Sequence, residues 1–182
     1  MDALTARAST DRAVTTAPVG VSTGAWAEPD PAARVRAINS WTVLPDFASV
    51  NWHEPGAEHI ATALLEKGVA VEAGLWHVDA VRSWARSFLR DACLRALVEL
   101  PDGLDPAQAL IAADDVLSHL RHGENTTPVL LHGEGTSTWP CLRHAARLGL
   151  DTRIGLEDTL HRPDGSPVTD NADLIRQALI PE

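Results

Sequence analysis

The sequence predicts an α/β fold, namely an incomplete (β/α)8 barrel of about six strand–helix units with the first two units missing. Short apolar runs alternate six times with longer segments of helical periodicity. Several of these runs lack polar alternation, as parallel strands buried on both faces do. Polar residues recur where the runs end, and in a barrel the carboxyl ends of all strands share one functional rim.

The six short runs are predicted strands because they are rich in apolar or β-branched residues and too short for helices. They cover residues 19–23, 47–52, 70–75, 93–99, 128–132 and 152–157. A doubly wound parallel sheet would have the same order of elements. The polar residues at or near the predicted strand ends favour the barrel over that sheet, and they are Ser22, Asn51, Glu72, Glu99, His132 and Glu157.

Six helices are predicted between the strands, over residues 30–43, 56–67, 78–90, 105–122, 138–148 and 170–179. Three of them begin with a capping signal, because an aspartate precedes the first helical residue at positions 30, 105 and 170. Glycines just past helix ends stand at positions 68, 123 and 149. These signals set the predicted helix boundaries.

The length of the chain sets the number of units. A (β/α)8 barrel has about 250 residues, or about 31 per unit, so 182 residues accommodate about six units. We therefore expect residues 1–17 to be the helical tail of a missing unit. Residues 18–182 are expected to form one partial-barrel domain.

Composition excludes several functional classes. The chain has 45% apolar and 22% charged residues, as globular domains do, and a net charge of -10. No basic cluster is present to neutralise phosphates, so nucleic acid is not an expected partner. No apolar run reaches the roughly 18 residues of a membrane span, and residues 1–16 lack the apolar centre of a signal peptide. Cys93 and Cys141 are predicted to be buried free thiols in a cytoplasmic protein, with a disulfide as the alternative.

Glu157 and Asp158 are the leading candidates for chemistry because they are adjacent at the end of a predicted buried strand. A glutamate there is costly without a partner, and its oxygens suit a metal ion. Asp158 is then placed to polarise or deprotonate a neighbouring group, or else it caps the turn before Thr159. Arg153 on the same strand either orients a carboxylate or forms a structural ion pair.

Further polar candidates lie on the preceding strands. Glu72 interrupts an apolar strand and therefore needs a partner, either a ligand or one of the arginines Arg95 and Arg153. Hydroxyl, amide and backbone N–H groups suit a carboxylate or a ketone oxygen, although these residues also form ordinary turns. They are Ser22, Thr23 and Gly24 after one strand, and Ser49 and Asn51 at the next. His132 is expected to be a hydrogen-bonded structural histidine, with metal or substrate binding as the alternative.

Five motifs in order resemble the β-keto acid cleavage enzymes, whose best-known members are the 3-keto-5-aminohexanoate cleavage enzymes of lysine fermentation. The resemblance runs from about Pro18 to about Leu179. The motifs are Val21-Ser22-Thr23-Gly24, Ser49-Val50-Asn51, Val71-Glu72-Ala73-Gly74-Leu75-Trp76, Leu131-His132-Gly133 and Arg153-Ile154-Gly155-Leu156-Glu157-Asp158.

The resemblance implies a zinc-dependent TIM barrel that assembles as a homo-oligomer. It also implies a retro-Claisen exchange in which a β-keto acid and acetyl-CoA yield acetoacetate and a new acyl-CoA. By resemblance, Asp158 and Arg153 are catalytic and Glu157 is a zinc ligand. The same resemblance implies the substrate-binding residues Ser22, Thr23, Gly24, Ser49, Asn51, Glu72 and Gly74.

The family's two further zinc ligands come from a His-x-His motif, which this sequence does not contain. We therefore expect this chain to bind zinc weakly. Two alternatives stay open. One is a non-catalytic remnant of a barrel, and the other is a different metal-dependent lyase or aldolase that acts on small oxo acids.

Overall fold

The structure is a computed structural model that describes residues 16–122 and 126–180. Strands and helices alternate through these residues, and hydrogen bonds join the strands in chain order, β1-β2-β3-β4-β5. The strands are β1 (Gly20–Ser22), β2 (Phe47–Asn51), β3 (Ala70–Leu75), β4 (Arg95–Leu100) and β5 (Val129–Gly133). The helices are α1 (Pro31–Ser40), α2 (Ala57–Glu66), α3 (Val78–Arg86), α4 (Pro106–His122), α5 (Thr138–Leu148) and α6 (Asn171–Ala178).

The predicted α/β pattern is therefore confirmed for these residues, with each predicted helix present within a few positions. The aspartates before three helices act as predicted. Asp30 accepts hydrogen bonds from Ala32 N and Ala33 N, and Asp170 accepts one from Asp173 N. Asp105 and Gln108 bond reciprocally, since each side chain accepts from the other's backbone N–H. Gly149 follows α5 with a φ of 66°, the left-handed conformation that a helix-ending glycine adopts. The glycine at position 123 and residues 1–15 of the predicted tail, residues 1–17, lie outside the described residues, and residues 16 and 17 are not helical.

The chain divides into two compact units. The first contains residues 16–75 and Asp79–Ala96. Its strands β1, β2 and β3 are parallel, with Ser22 paired to Ser49 and Ser49 paired to Glu72. Because side chains alternate along a strand, Val71, Ala73 and Leu75 lie on the opposite face of β3 from Glu72. Helix α2 packs on β2 and β3 and contributes the fully buried Ile60 and Leu64 to the core.

The second unit contains Trp76–Val78 and residues 97–180. Helix α5 packs on β5 and on α4. Its Trp139 and Leu142 form a buried cluster with Leu174 of α6, and three partly buried apolar residues pack on that cluster. The cluster fixes α6 and the chain that precedes it within this unit.

The sixth predicted strand, residues 152–157, is wrong. Asp151 makes one parallel bridge to Leu130, and the chain then leaves the ladder. The hydroxyl of Thr152 donates to Leu131 O at 2.8 Å, so a side chain occupies a carbonyl that a continuing strand would use. Asp158 N then donates to Gly155 O at 2.9 Å and closes a turn. Glu157 and Asp158 consequently lie on a turn and not at a strand end.

Both cysteines are buried and free, as predicted. The pKa of the Cys141 thiol is raised to about 12 by burial, because the thiolate is poorly solvated there. None of the helices in the described part of the chain combines the length and the apolar character that a bilayer crossing needs.

Candidate active site

In the first unit, strand register brings five of the predicted substrate-binding residues onto one face of the sheet. Ser22, Ser49 and Glu72 form one row across β1, β2 and β3. Asn51 and Gly74 form the next row, two residues further along their strands. Residues two apart on a strand point to the same side, so both rows share a face. This polar face is the first candidate region.

Glu72 departs from its predicted place. It is the third of six residues in β3, not a residue at the strand end, and it is 2% exposed. Its carboxylate accepts a hydrogen bond from Arg95 Nε, so the ion-pair alternative with Arg95 is the one that the structure forms. The guanidinium carbon of Arg95 also lies 5.2 Å from the centroid of the Phe47 ring, within the range of a cation–π contact.

Thr23 and Asn51 are held by hydrogen bonds at the ends of β1 and β2. Thr23 Oγ1 donates to Ser49 O at 2.8 Å, and Asn51 Nδ2 donates to Glu54 Oε1 at 2.9 Å. Gly74 has a steric role, because a Cβ at this position would lie 2.4 Å from Asn51 Oδ1. Glycine is thus required for Asn51 to lie against β3.

The first unit also contains a buried ion pair between Arg34 and Glu54, which the sequence analysis did not predict. Arg34 of α1 is 4% exposed and donates to Glu54 Oε2 at 2.5 Å and to Thr23 O at 3.1 Å. Glu54 Oε2 also accepts from Ala25 N at 2.9 Å. The sequence does carry a signal that Arg34 is buried. Arg34 lies one helical turn before the buried Ile38, so both side chains are on the inward face of α1.

In the second unit, Arg153 meets the acidic pair as predicted. Its NH2 group lies 3.5 Å from Glu157 Oε1 and 3.7 Å from Asp158 Oδ1. The two carboxylates differ in exposure, since the Glu157 side chain is 66% exposed and that of Asp158 only 2%. Asp158 is therefore the desolvated member of the pair.

His132 joins this cluster from β5 and is almost completely buried. Its Nδ1 lies 3.4 Å from Asp158 Oδ1 and 3.4 Å from Arg153 Nε, and its Nε2 lies 3.6 Å from Glu99 Oε2. Arg153 Nε donates a long hydrogen bond to His132 Nδ1, whereas the two carboxylates lie at ion-pair distances from the ring. His132 is thus a hydrogen-bonded histidine, as expected, and it also lies beside two carboxylates.

The carboxylate of Asp158 has one occupied and one open oxygen. Oδ2 accepts a hydrogen bond from Gly155 N at 2.8 Å, so the turn-capping interpretation is confirmed. Oδ1 is buried and accepts no hydrogen bond from the described residues. A buried acceptor without a donor is costly, and this oxygen is therefore a natural place for a ligand.

The protonation of the cluster follows from burial and charge. Burial lowers the pKa of His132, but the nearby carboxylates of Asp158 and Glu99 raise it by more, so the pKa lies above its ordinary value. The pKa of Glu134 is raised by its burial, by the charge of Glu99 and by a hydrogen bond with that residue. His132 and Glu134 therefore both keep their protons to a higher pH than they would in water. Glu134 is a second residue that was missed, although an acid two positions after His132 was a visible signal.

A pocket of about 370 Å³ adjoins the cluster within the second unit. It opens beside the turn that carries Glu157 and Asp158, and the predicted acidic pair therefore borders a space that a small molecule can enter. The residues that line it are Asp102, Glu134, Gly135, Leu156, Glu157, Asp158, Thr159, Leu160 and His161.

The described residues do not fit the implied zinc centre. Glu157 is largely exposed and turns toward Arg153, while both ring nitrogens of His132 face carboxylates. Across residues 16–122 and 126–180, no three side chains of His, Cys, Asp or Glu gather in a way that could hold a metal ion. The groups that these residues offer are carboxylates, an imidazole and a guanidinium.

The family model described as beta-keto acid cleavage enzyme matches residues 9–180, nearly the whole chain. This chain belongs to the beta-keto acid cleavage enzyme family. The TIM barrel is the general fold of the family, with which the strand order agrees. No curated protein matches the chain.

In this member of the beta-keto acid cleavage enzyme family, the predicted site residues lie in two groups. Arg153, Glu157 and Asp158 meet in the second unit, together with His132 and Glu99. The other group lies in the first unit on or beside the polar face, and it consists of Ser22, Thr23, Gly24, Ser49, Asn51, Glu72 and Gly74.

Proposed function

We propose that this chain carries out β-keto acid cleavage, with Asp158 and Arg153 as the catalytic residues. In the proposed reaction, acetyl-CoA gives its acetyl group to the CH2–carboxylate part of the β-keto acid, and the remaining acyl group passes to CoA. The products are acetoacetate and a new acyl-CoA. The observation that carries the proposal is the buried, unbonded Oδ1 of Asp158 beside an arginine at the edge of a pocket.

Asp158 is proposed to remove a proton from the carbon between the ketone and the carboxylate. That carbon must act as a nucleophile toward the acetyl group, and a positioned carboxylate is a suitable general base for it. Oδ1 can accept the proton because Oδ2 is already fixed by Gly155 N. The backbone turn thus holds the basic oxygen in one orientation.

Arg153 is proposed to bind the substrate carboxylate. Its side chain is 38% exposed, so part of the guanidinium remains accessible while another part lies near Asp158. A guanidinium offers a planar set of donors that matches a carboxylate. It also stabilises negative charge that develops on the substrate when the proton leaves.

His132 is proposed to position the two catalytic residues. It lies 3.4 Å from an atom of each, and its position on β5 is fixed by the core of the second unit. Acetyl-CoA as the acyl donor and a homo-oligomer are parts of the proposal that derive from the family resemblance, and a cytoplasmic location derives from the two free thiols. Zinc, which the resemblance also implies, is proposed to bind only weakly because the His-x-His motif is absent. No step is assigned to a metal.

The test is an assay for acetyl-CoA-dependent consumption of β-keto acids, with acetoacetate and acyl-CoA measured as products. Asp158→Asn should lower kcat at least about a hundredfold because it removes a general base. Arg153→Met should raise KM and also lower kcat, because it removes both the carboxylate contact and the stabilisation of the developing charge. Arg82→Met is the matched control, since Arg82 is exposed on α3 and pairs with the exposed Asp79. Turnover that survives in Asp158→Asn would show that the base is elsewhere, and no turnover with any β-keto acid would favour the non-catalytic alternative.

A further inference from the structure

Asp102 joins the loop after β4 to the chain that follows β5. The residues Gly135–Ser137 form a single 3-10 turn there, which we call the β5 turn. Asp102 Oδ1 accepts hydrogen bonds from Gly103 N at 2.7 Å, from Thr136 N at 2.8 Å and from Thr136 Oγ1 at 3.2 Å. One carboxylate oxygen therefore holds its own loop and the β5 turn together.

The β5 turn in its turn fixes the main chain of Asp158. Gly135 N donates to Asp158 O at 2.7 Å, and Thr138 Oγ1 at the start of α5 donates to the same carbonyl at 3.2 Å. The side chain of Asp158 is held separately, because its Oδ2 accepts from Gly155 N at 2.8 Å. The direction of the open oxygen, Oδ1, thus depends on both anchors, and the main-chain anchor leads back to Asp102.

The contact between Asp102 and the β5 turn is specified from both sides. Gly135 has a φ of 52°, in the left-handed region that favours glycine, and a Cβ there would overlap the Asp102 carboxylate. The backbone N–H groups of Thr136 and Gly103 hold the pKa of Asp102 below its ordinary value. Asp102 is therefore ionised at neutral pH, and an ionised oxygen is the stronger acceptor for these donors.

We propose that Asp102 is a positioning residue for the cleavage reaction, which holds Asp158 in its productive orientation through the β5 turn. The inference rests on the proposed role of Asp158 as the general base. Asp102 borders the same pocket as Asp158, and its role there is to orient the base without binding the substrate. Because a misplacement of about 1 Å costs on the order of a hundredfold in rate, loss of these hydrogen bonds should act on kcat and leave KM nearly unchanged.

The kinetic experiment compares Asp102→Ala with Asp102→Asn in the β-keto acid cleavage assay. Asp102→Ala should lower kcat about tenfold to a hundredfold, with KM within about twofold of the wild type. All three hydrogen bonds go to one oxygen, so the amide oxygen introduced by Asp102→Asn can accept them. Its kcat should recover to within about threefold of the wild type, since only the added strength of a charged acceptor is lost.

Asp164→Ala is the matched control. Asp164 closes a different turn in the same way, because its Oδ1 accepts from Ser166 N at 2.9 Å and from Ser166 Oγ at 2.7 Å. It is not one of the residues that line the pocket. This variant should lose stability in urea unfolding much as Asp102→Ala does, while its kcat stays at the wild-type value.

Amide NMR of the 15N-labelled chain reports the two anchors of Asp158 without catalysis. In Asp102→Ala, the amide of Gly135 should exchange with solvent at least about tenfold faster, and the amide signal of Gly155 should shift. Asp102→Asn and Asp164→Ala should keep the wild-type behaviour of both glycines. If Asp102→Ala does not fold, Thr136→Val decides instead, because it removes only the hydroxyl contact and should give the same changes at smaller amplitude.

Equal losses of kcat in Asp102→Asn and Asp102→Ala would overturn the proposal, because the negative charge and not the hydrogen bonds would then matter. A higher KM at constant kcat would also overturn it, since Asp102 would then bind the substrate. Unchanged signals of Gly135 and Gly155 in Asp102→Ala would do the same. If the wild type turns over no β-keto acid, the NMR result alone decides on Asp102, and the proposed reaction fails separately.

Discussion

Removing Arg34 from its buried ion pair with Glu54 should strongly destabilise the first unit. In Arg34→Met, the Glu54 carboxylate loses its cation, and the carbonyls of Thr23 and Pro55 each lose a donor at 3.1 Å. Breaking a buried pair by removal of one partner costs about 3–5 kcal/mol. This is a large part of the roughly 5–15 kcal/mol that a folded domain has in total.

Glu54→Gln should cost less than Arg34→Met. The amide oxygen can still accept one of the hydrogen bonds that Ala25 N and Asn51 Nδ2 now donate, each at 2.9 Å. We expect a loss of about 1.5–3 kcal/mol, the range for a hydrogen bond to a charged group. The double variant should lose less than the sum of the two, by at least about 1 kcal/mol, because the residues are in direct contact.

The assay is urea unfolding followed by tryptophan fluorescence. Arg36→Met is the control, since Arg36 lies on the same helix but is 71% exposed in its pair with Asp30. Its effect should stay within about 0.5 kcal/mol. A loss below about 1 kcal/mol in Arg34→Met, or strict additivity in the double variant, would refute the reasoning.

The Arg34–Glu54 pair should also make the free energy of unfolding depend on pH. Burial raises the pKa of Glu54, but hydrogen bonds from Asn51, Ala25 and Arg34 lower it by more, so it lies below its ordinary value of 4.5. A carboxyl with a lowered pKa stabilises the fold above its unfolded pKa, and this contribution is lost as the pH falls through the folded pKa. The difference in unfolding free energy between the wild type and Glu54→Gln should therefore shrink below about pH 4.5.

Two further predictions concern the polar face and the reaction cluster. Gly74→Ala should lower stability by about 1–3 kcal/mol in urea unfolding, since the added Cβ overlaps Asn51 Oδ1 at 2.4 Å. Gly155→Ala, whose Cβ would meet nothing closer than 3.6 Å, should change it by no more than about 0.5 kcal/mol, and equal losses would contradict the steric argument. Because the pKa of His132 is raised above 6.5 in the folded chain, its contribution to stability is fully present below that pH and is lost as the pH rises through the folded value. His132→Gln should remove this decline from unfolding curves recorded between about pH 6 and pH 9, His59→Gln should retain it, and an unchanged decline in His132→Gln would be evidence against the charge cluster.

Much of the secondary structure followed from local patterns. Apolar runs located β1 to β5, and the aspartates before α1, α4 and α6 marked where these helices begin. Such signals are readable because they depend on neighbours within about four residues. The run at residues 152–157 had the same local pattern and still failed. The hydroxyl of Thr152 bonds to Leu131 O, a partner that is distant in sequence.

The sequence predicted which residues form the candidate site better than it predicted which of them contact one another. The sequence identified Arg153, Glu157 and Asp158, and the structure brings them together. The sequence offered two arginines as possible partners of Glu72 without deciding between them. It also did not indicate that Glu157 would be exposed. Both depend on which side chains other elements of the same unit deliver.

The sequence by itself located β1 to β5 and α1 to α6 to within a few residues, and it contains the motifs that resemble the family. Tertiary structure decided the strand register that aligns Ser22, Ser49 and Glu72, and the exposure that separates Asp158 from Glu157. The physical reason is the separation along the chain over which each kind of interaction acts. Periodicity and capping act over a few residues, whereas burial and charge compensation depend on groups that only folding brings within a few ångströms.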